Sequence, residues 1–235
     1  MARPDGVVIV SERYWAFAGT DGSLREGSMP GTALGRVPLL RGLAKLAAAL
    51  SPVFRRRGVA GKRERLVLIF AVVAPLGFIF LPSAAGWTAW GLVTAGVLLW
   101  LFRGRTLRLH GAEHRAIAAV EERRLAATWV GEARPSRFSL RCGTNFAALA
   151  LPVTLGAERA WPFAPTFYAT LLLTVLSLGV TMELWRAVQS SRRRVARVFL
   201  LPGLALQRLT TREPSLSDTQ VALTAVASVL RRELD

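Results

Sequence analysis

One long stretch without charge dominates the pattern of hydrophobic and polar positions along the chain. Residues 66–102 contain no Asp, Glu, Lys, Arg or His, and the turn-forming Pro82, Ser83 and Gly86 interrupt the run near its middle. A helix of about 20 apolar residues is long enough to cross a hydrocarbon core of about 30 Å. The pattern therefore predicts a transmembrane hairpin over residues 66–102, with one helix on either side of the turn.

Two further uncharged stretches follow, residues 142–157 and residues 160–182, and only Glu158 and Arg159 separate them. The second stretch is long enough to span a bilayer. The first is shorter and contains Pro152, so a kinked helix, a tilted helix and a re-entrant segment all fit it. Together with the first hairpin, these stretches predict a mainly α-helical, polytopic membrane protein with about four transmembrane helices.

The N-terminal residues instead show short apolar runs between turn-forming residues. Residues 7–10 and 14–18 are apolar, and residues 19–23 are rich in Gly, Asp, Ser and Thr. This pattern predicts strands of a small α+β cytoplasmic cap. From residue 39 to 54 apolar positions recur at helical spacing after Pro38, which suits a first helical turn. We expect this helix to lie along the membrane surface.

Two more helices are predicted outside the spans. Residues 112–127 are rich in Ala, Glu, Arg and Leu, all good helix formers. Near the C-terminus, Ser217 is a candidate N-cap for a helix whose apolar face needs a partner, either the cap or a second copy of the protein. The predicted division is a cap with a surface helix (1–65), a transmembrane hairpin (66–102), a cytoplasmic helical loop (103–141), a second hairpin (142–183) and a C-terminal cytoplasmic segment (184–235).

The chain carries a formal net charge of +16, and its basic residues gather beside the uncharged stretches. The positive-inside rule therefore predicts a multi-pass protein of the cell inner membrane, with both termini and the central loop in the cytoplasm. Anionic lipid headgroups are expected partners of these clusters. Nucleic acid is not, since no recognition motif accompanies the charge. The clusters are Arg55, Arg56, Arg57, Lys62, Arg63 and Arg65; Arg103, Arg105 and Arg108; and Arg186, Arg192, Arg193, Arg194 and Arg197.

The only two histidines, His110 and His114, stand in the sequence His-Gly-Ala-Glu-His, which has the H-x-x-E-H pattern. On a helix this spacing places both imidazoles on one face, and in metalloenzymes with this pattern they hold zinc while the glutamate acts as a general base. Glu113 is therefore the candidate catalytic residue. Glu121 falls on the same helical face and is a candidate third ligand, with Glu122 as its nearest competitor.

The only cysteine, Cys142, begins the third predicted span. The second span ends shortly before His110, so both polar motifs are expected near the same cytoplasmic boundary. A set of His110, His114, Glu121 and Cys142 would suit Zn²⁺. The alternative is a small buried cysteine at the start of a helix. In that case Glu113 or Glu121 would pair with nearby arginines such as Arg115, Arg123 or Arg141, without metal.

Three strings together resemble the YqhQ-like family of bacterial membrane proteins, a family with a domain of unknown function. They are H-G-A-E-H at 110–114, R-C-G-T at 141–144 and L-T-T-R-E-P at 209–214. The resemblance implies a multi-span membrane protein that has been described as a predicted metal-dependent enzyme. The family typically has His two residues before the arginine of R-C-G-T, whereas this chain has Ser139, a poor zinc ligand.

Two functions follow from these observations. The first is an integral membrane protein with a metal site at the cytoplasmic boundary, acting as a metal-dependent hydrolase. The alternative is a non-catalytic membrane scaffold, or a protein that docks a membrane-protein partner or a second copy of itself, in which the His, Glu and Cys residues form a structural cluster. No feature of the sequence selects a substrate.

Overall fold

The computed structural model describes residues 1–31, 37–55, 58–77, 85–86, 88–89, 91–93, 95–96, 104–163, 166–191 and 198–235. The chain forms two compact units. Unit 1 comprises Met1–Gly31, Phe102–Asn145 and Leu200–Asp235, and unit 2 comprises Thr32–Leu101 and Phe146–Phe199. Unit 1 is therefore assembled from three separate parts of the sequence.

Unit 1 contains a four-stranded antiparallel sheet in the order β1-β2-β3-β4. The strands are β1 (Ala2–Arg3), β2 (Gly6–Val10), β3 (Tyr14–Gly19) and β4 (Leu24–Ser28). In the central pair Val8 faces Phe17, and β-branched and aromatic residues of this kind favour strands. The two predicted apolar runs are thus the two central strands, and the α+β nature of the cap is confirmed.

Four helices of unit 1 follow in two groups. The first group is α3 (Gly104–Glu121) and α4 (Leu125–Trp129). The second is α7 (Leu201–Thr210) and α8 (Leu216–Leu234). The core joins one face of the sheet to α3 and α8, and its helical residues are mostly alanines at helical spacing, which allow close approach of the backbones. It consists of Val7, Ile9, Ala16, Ala18, Leu109, Ala112, Ala116, Ala119, Ala222, Leu223, Ala225, Val226 and Val229.

The regular secondary structure among the described residues of unit 2 is helical. It contains α1 (Leu40–Phe54), α2 (Lys62–Gly77) and α6 (Phe167–Ser190). A further helix, α5, extends over Gly143–Ala160 and continues through Pro152, and the boundary between the units falls within it, after Asn145.

A polar contact and close packing join α1 to α6. Arg41 donates to both carboxylate oxygens of Glu183, and Nε lies 2.7 Å from Oε1. A Cβ on Gly42 would lie 2.5 Å from Cβ of Met182, so a larger residue would not fit there. The helix predicted over residues 39–54 is therefore confirmed, and it packs against α6.

The prediction of about four spans is only partly tested. Among the described residues, α6 is the helix that is long and apolar enough to cross a membrane, with a mean hydropathy of 1.6 over its most apolar window. Much of the predicted first hairpin lies outside the described residues, which leave out 78–84, 87, 90, 94 and 97–103. The described residues therefore show a mainly helical protein with one small sheet and one candidate span.

Two predicted helix boundaries were wrong. The helix predicted over 112–127 begins eight residues earlier, at Gly104, and ends at Glu121, because Arg123 adopts a left-handed φ of 56° that breaks the helical backbone. The N-cap of the last helix is Ser215, not Ser217. Ser215 accepts from the Asp218 amide, and the Asp218 carboxylate accepts from the Ser215 amide, a reciprocal capping box.

Candidate metal centre

Helix α3 places the two histidines on one face. They are four residues apart, slightly more than one turn, and their ring centroids lie 4.5 Å apart in an edge-to-face arrangement. Because α3 begins six residues before His110, both histidines lie within an established helix rather than at its frayed start. The local backbone therefore fixes the separation of the two rings.

Cys142 joins this pair from a different part of the chain. It directly precedes α5, and only 6% of its surface is exposed. Its Sγ lies 3.3 Å from Nε2 of His110. One nitrogen of each histidine and this sulfur all lie within 4.8 Å of one another, close enough for one metal ion. Of the four residues predicted to converge, His110, His114 and Cys142 do come together, and Glu121 does not.

Backbone carbonyls determine which nitrogen of each ring faces the cysteine. Nδ1 of His110 lies 2.8 Å from the carbonyl oxygen of Thr210, and Nδ1 of His114 lies 2.8 Å from that of Arg137. A carbonyl oxygen only accepts, so each Nδ1 carries a proton and donates it. In a neutral ring Nε2 then keeps its lone pair. Metal-binding histidines are commonly oriented by the same kind of contact.

The thiol of Cys142 lies in surroundings that favour its charged form. Burial would raise its pKa, but hydrogen bonds and charge from His110 and His114 lower the pKa to about 5. Thr144 adds to this effect, because its hydroxyl donates to Sγ at 3.1 Å and its amide at 3.5 Å. Burial would lower the pKa of His110, yet Cys142 and Glu113 together raise it. A thiolate is the form of cysteine that binds metal.

Glu113 lies beside the cluster and is ionised. Its Oε1 accepts a hydrogen bond from the amino group of Met1 at 2.6 Å. Burial would raise its pKa, but the positive charges of that amino group, His110 and His114 lower it. The carboxylate is therefore in the form that a general base requires, and it is not one of the three residues whose ligand atoms converge.

Glu121 and Glu122 stand apart from the cluster. Glu121 is about half exposed and pairs with Arg141 at 3.1 Å. It shares a helical face with His114 but is seven residues further along, and seven residues of helix rise about 10 Å. Helical periodicity suggested Glu121 as a ligand because it lies on the same face of the helix as His114. The distance along the helix places it outside the cluster. The Glu121–Arg141 pair is one that the structural alternative predicted.

A buried amide network, missed by the sequence analysis, holds the loop that carries Cys142. Oε1 of Gln207 accepts from the Ser139 amide at 2.9 Å, and Nε2 donates to the Ser139 carbonyl at 2.8 Å. Asn145 donates to the carbonyls of Ser139 and Leu140 at 3.0 and 2.9 Å. Gln207 and Asn145 are fully buried and also contact each other at 3.2 Å. Ser139 thus takes part in this amide network through its backbone amide and carbonyl groups.

A second set of charged contacts holds the segment that orients His114. Arg115 donates through Nε to the Pro135 carbonyl at 3.1 Å and through its guanidinium to Glu213 at 2.6 Å. Arg137 donates to the other carboxylate oxygen of Glu213 at 3.2 Å. Glu213 therefore links α3 to the segment whose Arg137 carbonyl accepts from His114. Glu213 belongs to the L-T-T-R-E-P string that carries the family resemblance, but nothing in that string predicts its contacts with Arg115 and Arg137.

Fold and site together define a class: a mainly helical protein with one small sheet, one candidate membrane span and a His–His–Cys cluster on an H-x-x-E-H helix. The chain belongs to the family described as "Protein of unknown function (DUF1385)", whose model matches residues 103–232. That range contains both histidines, Cys142, Gln207 and Glu213.

A relative with sequence similarity is the uncharacterized protein YqhQ of Bacillus subtilis (strain 168). It is 31% identical over 134 residues, which cover 55% of this chain and 42% of the relative. The aligned part thus spans about two-fifths of the relative's length. No solved structure matches the chain.

Proposed function

We propose that this chain is an integral membrane protein that holds a transition-metal ion, most simply Zn²⁺, through Nε2 of His110, Nε2 of His114 and Sγ of Cys142. The observation that carries the proposal is the orientation of the two rings. Each Nδ1 is occupied by a backbone carbonyl, so both free nitrogens are left to the cluster with the sulfur.

The donor set is appropriate for zinc. Imidazole nitrogen and thiolate sulfur both bind zinc, and catalytic zinc sites have three protein ligands and an open fourth position. A metal bound there would supply a Lewis acid and an activated water. Ser139 does not argue against this set, because the three ligands come from other residues and Ser139 serves through its backbone.

Glu113 is the residue we propose as general base in a hydrolytic reaction. It lies between the two histidines in sequence, and its carboxylate is ionised because nearby positive charges lower its pKa. Its role in this proposal is to accept a proton from the attacking water. The reaction class rests on this one carboxylate, and the substrate is left open.

The membrane location is supported by the surface of α6. Only 22% of its most apolar window is buried, whereas a core helix of a soluble protein is mostly buried. Its 24 residues would extend about 36 Å, enough for a hydrocarbon core of about 30 Å. Aromatic residues lie before it and in its first turn, and arginines lie near its end and after it, as at the two boundaries of a bilayer. These are Trp161, Phe163, Phe167 and Tyr168, and Arg186, Arg192, Arg193 and Arg194.

The finer topology also belongs to this proposal: four spans, with both termini and the central loop in the cytoplasm of the inner membrane. Its support is the distribution of arginine along the sequence. Cysteine accessibility labelling at Ala85 and Ala127, in a Cys142→Ser background, should report opposite sides of the membrane. Labelling of both positions from the same side would reject the topology and leave the metal proposal standing.

The metal proposal is tested by elemental analysis of the purified full-length protein. We expect close to one metal ion per chain, and we expect His114→Ala and Cys142→Ser to remove it. Glu121→Ala is the matched control, because that carboxylate lies on the same helix outside the cluster, and this variant should keep the metal. Glu113→Gln should also keep it while losing any hydrolysis that is detected.

The structural alternative makes the opposite prediction. If the cluster only fixes the packing of unit 1, the wild-type protein should be free of metal, and a chelator should leave its thermal stability unchanged. His114→Ala should then cost about 1 to 3 kcal/mol, the price of leaving the Arg137 carbonyl without its buried donor. A metal-free wild-type protein whose thermal stability does not change in a chelator would reject the metal proposal.

A further inference from the structure

We infer that the outer face of α7 is a docking surface for an anionic lipid bilayer. This inference rests on the proposed membrane location and goes beyond it, because α7 belongs to unit 1, outside every predicted span. It assigns a lipid-contacting role to the helix that also carries contacts of the candidate metal centre.

The two faces of α7 differ sharply. The inner face is formed by Gly203 and Gln207, which are buried, and a Cβ on Gly203 would lie 2.2 Å from Oδ1 of Asn145. The outer face exposes large apolar side chains: 56% of Leu201, 42% of Leu206 and 66% of Leu209. A helix with one buried polar contact face and one exposed leucine face needs an apolar partner outside its own unit.

Charge identifies that partner. Residues 184–212 contain seven arginines and no Asp or Glu, so α7 lies in a segment of purely positive charge. A helix with leucines on one side and arginines around it is typical of interfacial helices, which combine apolar burial with attraction to anionic headgroups. A second copy of this surface would bring arginine against arginine, which opposes self-association through this face.

The sequence also keeps α7 close to the proposed bilayer. Only residues 191–200 connect α6 to α7. Ten residues reach at most about 35 Å when fully extended. If α6 spans the membrane, the start of α7 lies within that reach of its end, and the connecting sequence includes Arg192, Arg193, Arg194 and Arg197, a composition typical of segments beside a span.

The experiment uses the full-length protein in vesicles of mixed phosphatidylglycerol and phosphatidylcholine. A photo-crosslinking amino acid, p-benzoylphenylalanine, replaces Leu209, so that Cys142 is retained. Two other positions serve as references. Val175 lies on the proposed span α6, and Leu234, 87% exposed at the end of α8, is an exposed leucine of unit 1 outside the proposed surface.

We expect lipid adducts from positions 209 and 175 and at least tenfold fewer from position 234. Vesicles of phosphatidylcholine alone should reduce the adduct at 209 several-fold and leave the adduct at 175 unchanged. A lipid adduct at 175 without one at 209, or a crosslinked dimer through 209, would overturn the inference while the span stands. Absence of lipid adducts at both 175 and 209 would instead reject the proposed membrane location itself.

Discussion

Unit 1 buries part of its large apolar side chains in a closed core, whereas many of those on the described helices of unit 2 are exposed. In unit 1 the apolar core is closed, and Val7, Leu109 and Ala112 have no exposed surface. In unit 2, Phe70 and Leu151 are more than 60% exposed although they lie within helices. The difference shows that hydrophobicity alone does not define a core. Under the proposed membrane location, the exposed side chains of unit 2 face lipid, which solvates them as an interior would.

Buried polar groups follow the same division. In unit 1 the side chains of Gln207 and Asn145 reach across from one chain segment to another. In unit 2 the buried hydroxyl of Thr181 donates to the Ser177 carbonyl of its own helix, at 2.7 Å. Bonds within one helix need no partner element, which is the arrangement that a hydrocarbon environment requires. Unit 1 contains such bonds too, as from the buried hydroxyl of Thr211 to the Gln207 carbonyl, but it also has the contacts of Gln207 and Asn145 between distant segments.

The largest expected effect is the unfolding of unit 1 when Gly111 is replaced by a larger residue. A Cβ at this position would lie 2.2 Å from the backbone carbonyl oxygen of Arg212, which cannot rotate away as a side chain can. Gly111→Val should therefore lower the free energy of unfolding by about 3 kcal/mol or more and remove the metal. The measurement is thermal unfolding in detergent together with elemental analysis.

The control for Gly111 is a helical glycine with free space. A Cβ at Gly156 of α5 would meet nothing within 4 Å. Gly156→Ala should be neutral or stabilising by up to about 1 kcal/mol, because alanine is the better helix former. Equal effects of the two substitutions would contradict the tight packing of α3 against Arg212.

The second prediction tests whether exposed leucines of unit 2 face lipid, whereas those of unit 1 face water. Leu172→Arg places a charge on the exposed side of α6 and should cost up to the roughly 2.5 to 3.5 kcal/mol that a charge costs at the centre of a span, seen as a smaller inserted fraction in a translocation assay. Leu234→Arg, at an 87% exposed position of unit 1, should change stability by less than about 0.5 kcal/mol. If Leu172→Arg were also harmless, the exposed leucines of α6 would face water.

A smaller effect is expected from removing a buried polar contact of unit 1, compared with removing an exposed one. Gln207→Leu leaves the Ser139 amide and Oδ1 of Asn145 without their Gln207 partner and should cost about 2 kcal/mol, while weakening metal binding at Cys142. Gln220→Leu removes one exposed hydrogen bond, to the Trp129 carbonyl at 3.1 Å, and should cost little. Metal affinity in a competition titration distinguishes the two. Unchanged affinity in Gln207→Leu would show that this network does not position the sulfur.

The smallest effect is an acid-dependent one at the surface of unit 1. A hydrogen bond from Ser11 and the charge of Arg13 lower the pKa of Glu233. A lowered folded-state pKa stabilises the fold above the unfolded-state pKa, about 4.3, and that contribution is lost as the pH falls through the folded-state pKa. Glu233→Gln should therefore show a smaller drop in melting temperature between pH 6 and pH 3 than the wild type. An equal drop would remove Glu233 from this account.

Local patterns in the sequence predicted the elements of both units better than the site. The two central strands, α1 and the joining of His110 and His114 on one helix follow from periodicity and turn residues, and each is confirmed. Cys142 was placed near them by the assumption that two spans end at one boundary. Its proximity is confirmed, although four spans are not.

The remaining parts of the site depend on contacts that periodicity does not encode. Gln207 and Glu213 act across more than 60 residues of sequence, through backbone groups of Ser139 and through Arg115 and Arg137. Ser217 was preferred to Ser215 as a cap because both fit the composition of a helix start, and only the reciprocal bonds with Asp218 separate them. Glu121 shows what helical periodicity cannot predict: it indicates the face of the helix on which a residue lies, but not how far along the helix that residue is from a site.

The three-part composition of unit 1 has a consequence for the order in which the protein is made. The sheet is complete in the nascent chain by residue 31, but its covering helices lie at 104–121 and 216–234. At about 5 to 20 residues per second, roughly 10 to 40 s separate the synthesis of the sheet from that of α8. Throughout that interval the apolar face of the sheet has no α8 to cover it, so a ribosome-associated chaperone would have a defined substrate there. The Thr210 carbonyl that orients His110 is also made late, so the arrangement of His110, His114 and Cys142 is completed only after most of the chain has been synthesised.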